Sequence, residues 1–248
     1  MPQTAPVSPE LVFGHSKVLE PKEVTGMKHS STILMTEFVT HDVKRFILTK
    51  PRNFDYKPGQ GVKVVINEPE WRNQESRPFT PTSLRDDRLL EFIIKKYPTG
   101  EGVTDKLHSL AVGAKLLISE AFGTITYKGP GVFIAAGAGV TPFIAITRQL
   151  ARKGKLDVNS LVLSNKTPAD VICEKELRHY FGSRCILTCT RESAPGYENR
   201  RISAEFLKEK VRDFRQRFYI CGPDSFVEEI KSILKKLGAS SKSLVFEK

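Results

Sequence analysis

Residues 132–146 read "VFIAAGAGVTPFIAI", and their interpretation decides the fold. The apolar run Val132–Ala136 has the length and branching of a buried strand, Gly137-Ala-Gly139 gives a tight turn, and the apolar residues after it open a helix. Glycines spaced this way match the first two positions of the dinucleotide turn Gly-x-Gly-x-x-Gly: the first permits the turn, the second lets a phosphate approach the backbone. The third position holds Pro142 instead. Proline suits the first helical residue, where its missing N–H would be unpaired anyway, but it forgoes the contact a third glycine would allow. The turn therefore predicts a dinucleotide docked more shallowly than in a standard dehydrogenase, with only half of it held firmly.

Downstream, the apolar runs "SLVLS", "CILTCT", "RFYIC" and "SLVFE" alternate with helical stretches. In "SFVEEIKSILKKLG", Phe226, Val227, Ile230, Ile233, Leu234 and Leu237 share one face and Lys231, Lys235 and Lys236 turn outward. This alternation predicts a five-stranded parallel α/β sheet with its ligand site at the carboxyl ends of the strands. Upstream of the Gly/Pro hinge "YKGPG" the pattern changes. "TILMTEFVT", "RFILTK", "GVKVVI", "RPFTPTS", "LLEFIIKKY" and "KLLIS" read as six strands of a small antiparallel β-barrel, interrupted by one helix over "TDKLHSL" with Thr104 as its N-cap. Two domains are expected: a barrel over 30–127 and an α/β domain over 128–248, preceded by an N-terminal arm over 1–29.

Composition narrows the class. Of 248 residues, 40% are hydrophobic and 27% charged, values ordinary for a globular protein, and no apolar run approaches a membrane span. The first residues have no signal-peptide pattern, so a cytoplasmic protein is expected. Cys173, Cys185, Cys189 and Cys221 include no Cys-x-x-Cys pair and read as free thiols; their spacings hold no iron-sulfur cluster, and no metal is expected. The net charge of +11 is uneven. Residues 1–127 carry 17 Lys and Arg against 15 Asp and Glu, a balance of +2, whereas residues 128–248 carry 22 against 13, a balance of +9. The basic residues are dispersed and lack interleaved aromatics, which ranks a phosphorylated cofactor and an acidic protein partner above nucleic acid.

Three further stretches carry chemistry. In "RPFTPTS", residues 77–83, two prolines remove backbone donors, as suits only an edge or an interrupted strand with something other than a neighbouring strand beside it. Arg77 offers a planar fork for phosphate oxygens, Phe79 an apolar face for a ring, and Thr80 a hydroxyl near that ring's edge. A kinked edge strand with a surface arginine explains the same residues equally well. "GEGVT" places Gly100 and Gly102 before the short helix, whose free amides favour an anion such as a pyrophosphate. "YICGPDSF" ends a strand with Cys221, Gly222 and Pro223; the cysteine is either a small buried apolar residue or one that meets a ring at the strand's end.

Arg-Pro-Phe-Thr-x-x-Ser, Gly-x-Gly-Val-Thr, Gly-x-Gly-x-x-Pro and Cys-Gly-Pro, in this order over residues 30–248, resemble the ferredoxin-NADP reductase superfamily, especially its flavodoxin/ferredoxin reductase and cytochrome reductase branches. The resemblance implies FAD in the barrel. Arg77 would pair with the flavin's phosphate, Pro78 and Phe79 would lie along the isoalloxazine, and Thr80 would hydrogen-bond near its N5. Ile93, Lys95 and Tyr97 would line the ribityl and adenosine side, and Gly102, Val103 and Thr104 would hold the pyrophosphate. The family usually has tyrosine where this chain has Phe79, which removes one hydroxyl.

In the second domain the resemblance places Gly137, Gly139, Val140, Thr141 and Pro142 against the nicotinamide dinucleotide. Cys221, with Gly222 and Pro223, would bring nicotinamide C4 toward flavin N5; Thr80 and Cys221 are thus the residues nearest the reaction. Thr190 and Arg191 resemble the Ser-Arg-Glu stretch that receives a 2'-phosphate, and Lys166 and Arg201 would complete a basic cluster favouring NADPH over NADH. The implied function is hydride transfer from NAD(P)H to flavin, then single electrons to an acidic carrier, flavodoxin or ferredoxin, by a monomeric protein with no membrane or nucleic-acid partner. The alternatives are direct reduction of free flavin, a ferric chelate or a quinone, and a flavin-binding component of a larger complex.

Overall fold

The structure, a computed structural model, describes residues 26–72, 76–97, 102–123 and 125–246. Almost all of the expected arm, together with Gly100 and Glu101, lies outside the described residues. The first lobe contains β1 (Met27–Thr40), β2 (Val43–Thr49), β3 (Val62–Ile66), β4 (Arg77–Phe79), β5 (Leu89–Lys95) and β6 (Lys115–Ser119), paired antiparallel in the order β4-β3-β6-β1-β2-β5. One long strand serves two neighbours: residues 27–32 of β1 pair with β6, and residues 33–40 pair with β2. Register shifts at Ile33/Met35 and Phe38/Thr40 bend β1, as bulges do, and carry the sheet around a corner.

The sheet closes at its two outer strands. The second proline of "RPFTPTS" ends the regular strand at Phe79, yet Pro81 still bridges Phe92 and the Thr82 amide donates to the Glu91 carbonyl at 2.8 Å. Alternation sends Ile33, Phe46, Leu48, Val62, Val64, Phe92 and Ile118 inward. The helix α1 (Val103–Ser109) adds Val103 and Leu107 to that core. Its N-cap is Gly102 and not Thr104, which lies inside the first turn; the cap makes no side-chain hydrogen bond.

The second lobe is an α/β sheet of β7 (Gly131–Ala136), β8 (Ser160–Asn165), β9 (Cys185–Cys189), β10 (Arg217–Cys221) and β11 (Leu244–Phe246), all parallel in the order β11-β10-β7-β8-β9. Successive residues of β7 go to opposite faces. Phe133 and Ala135 join a core with α2 (Thr141–Arg152) and α3 (Glu174–Phe181), and Val132 and Ile134 join another with α4 (Ala204–Lys210) and α5 (Asp224–Lys236). Helices therefore cover both faces, as a sheet apolar on both sides requires. The apolar face expected for α5 forms with Val227, Ile230 and Leu234 at its centre. Lys231 departs from the expected outward direction: its ammonium lies 4.0 Å from the Phe246 ring centroid and 2.7 Å from Glu228.

The lobes share a seam. Val43, Ile93 and Ile125 belong to the same buried cluster as Val140, Phe143, Ile144 and Ile146, so apolar surface runs without a break from barrel to helix α2. The hinge is fastened as well: the Tyr219 hydroxyl donates to the Gly129 carbonyl at 2.6 Å and accepts from the Lys128 amide at 2.9 Å.

His108 on α1 makes a pH-dependent contribution to this fold. Burial pushes its pKa below the ordinary histidine range, opposed by a hydrogen bond to the Ile94 carbonyl at 2.8 Å. A base with a depressed folded pKa contributes its full stabilisation above the unfolded value of about 6.5, and loses it as pH falls through that value toward the folded one. The urea midpoint should therefore fall between pH 7.5 and 5.5, and His108→Gln should show a shallower fall. A variant with the undiminished wild-type slope would assign the effect elsewhere.

Candidate functional site

Because every strand of the second sheet is parallel, the turns after β7, β8, β9 and β10 share one edge. The turn after β7 is a single 3-10 turn, Gly137–Val140, running directly into α2. Gly137 has φ +52°, a conformation that favours glycine, and no atom stands within 4 Å of where its Cβ would be. Gly139 is required for a different reason from the expected phosphate approach. A Cβ there would collide with the Cys221 carbonyl and lie 2.6 Å from the Gly222 amide nitrogen. The two turns are locked backbone to backbone across the β7–β10 boundary, where the strand order reverses direction.

Pro142 falls at the second residue of α2, still within the first turn, where an amide has no helical partner. It is buried, as is Val140 at 0% exposure, so the side chains of both pack into the core and only their backbone is offered at the turn. Thr141 is half-buried and its hydroxyl donates to the Ala138 carbonyl at 3.0 Å. Cys221 and Gly222 are half-buried beside this turn and Pro223 caps α5.

The turns after β8 and β9 bring the basic residues together. The Thr190 amide donates to the Asn165 carbonyl at 3.0 Å and the Arg191 amide to the Lys166 carbonyl at 2.9 Å, so the sheet pairing continues past the strands. Asn199 shapes the same loop, its carboxamide donating to the Cys189 and Glu192 carbonyls at 2.9 Å each. Lys166, Thr190, Arg191 and Arg201 are all exposed. Asn165, only 6% exposed, has neither atom of its carboxamide hydrogen-bonded.

On the barrel, Arg77 and Pro78 are exposed and Phe79 and Thr80 half-buried along β4. The remainder of the motif is a latch. Thr82 is fully buried and its hydroxyl donates to Glu91 Oε1 at 2.7 Å; the Ser83 hydroxyl accepts from the Glu91 amide at 3.0 Å and meets the Tyr56 hydroxyl at 2.9 Å. Ile93 lies in the seam at 4% exposure, within the buried cluster that joins the lobes. The Lys95 ammonium is paired with Asp42 at 2.8 Å, Tyr97 is exposed, and α1 starts after Gly102, whose cap makes no side-chain hydrogen bond. The Val103 side chain points into the barrel core.

Sequence reading missed Arg148. From α2 its guanidinium donates to the Thr82 carbonyl at 2.9 Å, to Glu91 Oε1 at 2.6 Å, and to Glu176 of α3 at 2.6 and 2.9 Å. Burial opposes its charge, but hydrogen bonding to Glu176 and the charge of Glu91 outweigh that and hold its pKa above the arginine range. Burial and the neighbouring Glu176 push the Cys173 thiol up to about 11, so it is not a nucleophile at neutral pH. The sequence signal was a cation in an amphipathic helix that also carries Gln149 and Arg152, which a single sequence does not distinguish from a surface arginine. A groove of about 430 Å³ opens beside this cluster, lined by Phe38, Val39, Arg45, Cys173 and Glu176 among others and by none of the expected ligand residues.

A barrel with an exposed arginine and a helix starting at a glycine, joined to a parallel sheet with a glycine turn and basic loops, defines a two-ligand protein of the flavin and pyridine-nucleotide class. Known proteins agree. Residues 30–127 match the family described as "Oxidoreductase FAD-binding domain" and residues 133–232 that described as "Oxidoreductase NAD-binding domain". The chain belongs to the ferredoxin-NADP reductase-like superfamily. It is 24% identical over 218 residues to the ferredoxin–NAD(P)(+) reductase component of the naphthalene 1,2-dioxygenase system of Pseudomonas putida, covering 84% of this chain and 65% of that protein. Against human cytochrome b5 reductase 4 the identity is 27%, covering 91% and 48%. The flavohem-like FAD/NAD-binding domain of nitric oxide dioxygenase from Vibrio cholerae O1 biovar El Tor superposes with a TM-score of 0.80 at 21% identity, covering 89% and 98%. The chain spans less than two-thirds of the length of these two relatives.

The residues present fit FAD and NAD(P)H. The fit rests on the open space at Gly137, the orphaned carboxamide of Asn165 and the exposed Arg77. Asp105 in the first turn of α1 adds a negative charge there, paired with Lys96 at 2.6 Å. The lock between turns yields a direct test. Gly139→Ala should lower stability by about 1–3 kcal/mol, the cost of overpacking a closed site, read from its denaturation midpoint. Gly137→Ala should leave the packing of Cys221 intact, its cost being the backbone conformation alone. Equal nucleotide-binding losses from both variants would argue against a specific lock at Gly139.

Proposed function

We propose that this chain passes reducing equivalents from NAD(P)H to FAD and on, one electron at a time, to a separate acidic carrier protein such as a flavodoxin or ferredoxin. The observation that carries the reading is the seam: the helix that begins at the dinucleotide turn is hydrogen-bonded through Arg148 to the segment that follows Arg77–Thr80. Two ligand beds in separate lobes are thereby tied into one unit, the prerequisite for one ring reacting with another.

Bound flavin supplies the capacity to take two electrons together and release them singly. The chain supplies the rest. Arg77 gives a planar donor pair for a phosphate, and Phe79 covers a ring face without a hydroxyl. Thr80 offers a hydroxyl at the ring edge. The Gly137–Thr141 turn and the Cys221–Gly222 turn form the floor on which the nicotinamide half is oriented. Positioning of this kind, with water excluded, accounts for most of the acceleration in such a transfer, so no general acid or base is invoked.

At the other end of the edge, the paired backbones of Lys166 and Arg191 put two cations side by side, with Arg201 on the same lobe. This supports a preference for the 2'-phosphate of NADPH. The balance of +9 in residues 128–248 supports an acidic partner, and the relatives named as reductase components of oxygenase systems support delivery to another protein. Among the described residues no helix is long and apolar enough to cross a membrane, and a cytoplasmic, monomeric protein is part of the proposal.

Anaerobic titration of the purified protein is the decisive measurement. Flavin absorbance should bleach with NADPH at lower concentration than with NADH, and Lys166→Ala with Arg191→Ala should raise KM for NADPH at least about tenfold while changing that for NADH little. Carrier reduction should slow steeply with ionic strength, because the steering is electrostatic; an acceptor rate indifferent to salt would favour direct reduction of a small neutral molecule. A protein that neither contains nor takes up flavin would end the proposal.

A further inference from the structure

We infer that Arg148 is a positioning residue for hydride transfer: its guanidinium sets the register between the lobes, and with it the approach of nicotinamide to flavin. The inference rests on the flavin–nicotinamide reading above and adds a residue outside the two ligand beds named there.

The seam contains two kinds of contact. The apolar part, with Val43 and Ile93 against Val140 and Phe143, holds the lobes together but is non-directional, and it tolerates sliding and rotation. The polar part is directional. A guanidinium presents donors in a fixed plane, and here that plane is satisfied on both sides of the seam: Thr82 and Glu91 on the barrel, Glu176 in two parallel bonds on the second lobe. Arg148 is 17% exposed, Glu91 15% and Glu176 24%, so solvent weakens these bonds little. The other ion pairs between the lobes, among the described residues, are looser. His41 reaches Asp170 at 3.9 Å and Arg152 reaches Asp87 at 3.7 Å, with the His41 and Arg152 side chains more than half exposed.

The clamp also grips the right segments. On the barrel it holds the carbonyl of Thr82, two residues after Thr80, and Glu91, which is itself bonded to Thr82. On the second lobe it sits on α2, seven residues after Thr141, about 10 Å along a helix that starts at the nucleotide turn. A rotation at Arg148 is therefore carried along a rigid helix to the turn that orients the nicotinamide. Hydride transfer requires reacting atoms about 3–3.5 Å apart, and a misplacement of about 1 Å costs on the order of 10²-fold in rate.

The test uses Arg148→Met combined with Glu91→Gln and Glu176→Gln, which removes the clamp without stranding a buried carboxylate. Arg148→Lys keeps the charge and loses the fork. Both, loaded with FAD, should reduce their flavin about 10- to 100-fold more slowly than wild type in stopped flow, with nucleotide Kd within about twofold and a weakened nicotinamide–flavin charge-transfer absorbance. Glu176→Gln alone, a milder change that guards against misfolding of the triple variant, should fall between. The apoproteins supply a readout independent of activity: amide exchange in residues 80–84 and 141–152 should quicken in the clamp variants while the inner strands of each sheet keep their protection. Wild-type flavin reduction in the triple variant or in Arg148→Lys overturns the inference, as does unchanged exchange at both segments. Should the wild-type protein bind no FAD, the functional reading fails on its own, and the apoprotein measurement still decides whether Arg148 couples the lobes.

Discussion

A single guanidinium surrounded by two carboxylates and a backbone carbonyl ties the two halves of this molecule together. Its geometry explains features that have no other obvious purpose. Glu91 of β5 meets Thr82 within the barrel and Arg148 from the second lobe, so its carboxylate is shared across the seam. Arg45 lies against the same carboxylate at 3.4 Å, so two cations share the negative charge. Cys173, the N-cap of α3, adopts φ +54°, a conformation in which a non-glycine residue is strained, on the chain leading into the helix that carries Glu176. The arrangement accepts local strain and charge burial at the seam, where precise docking has a use.

Much of the fold was legible because each lobe has a clean period. Six alternating runs became six strands, and strand-helix alternation after Tyr127 became the parallel sheet. The limits were local. The prolines of "RPFTPTS" marked an edge or interrupted strand, and the ladder does break after Phe79; what they did not show is that the second half is a latch on Glu91. Thr104 was placed as a cap by residue type; the chain uses Gly102, which has no side chain with which to cap. Lys231 was turned outward by the helical wheel, which cannot anticipate that the terminal strand brings Phe246 beneath it.

The candidate site divides the same way. Residue types that belong to a turn or a strand end, such as Gly137, Lys166, Arg191 and Cys221, could be placed because parallel topology forces all such ends to one edge. Burial could not be read. Ile93, Val140 and Pro142 look like ligand-facing members of their motifs, and their side chains are core. Arg148 and Glu176 lie 28 residues apart in different helices, and Glu91 lies 57 residues before Arg148; no local pattern links them. Contacts that define the relation between lobes are long-range by nature, and one sequence carries no periodic trace of them.

The interlock of the Gly139 and Cys221 turns has a consequence for how such a molecule could diversify. With main chain packed on main chain, neither turn can lengthen or acquire bulk without displacing its neighbour, so the chemistry at that end is frozen as a pair. The loops after β8 and β9 are joined by hydrogen bonds that any residues can make, beneath side chains that stand in solvent. On the proposed function, selectivity for the far end of a dinucleotide could therefore be rewritten by surface substitution while the interlocked turns stay as they are.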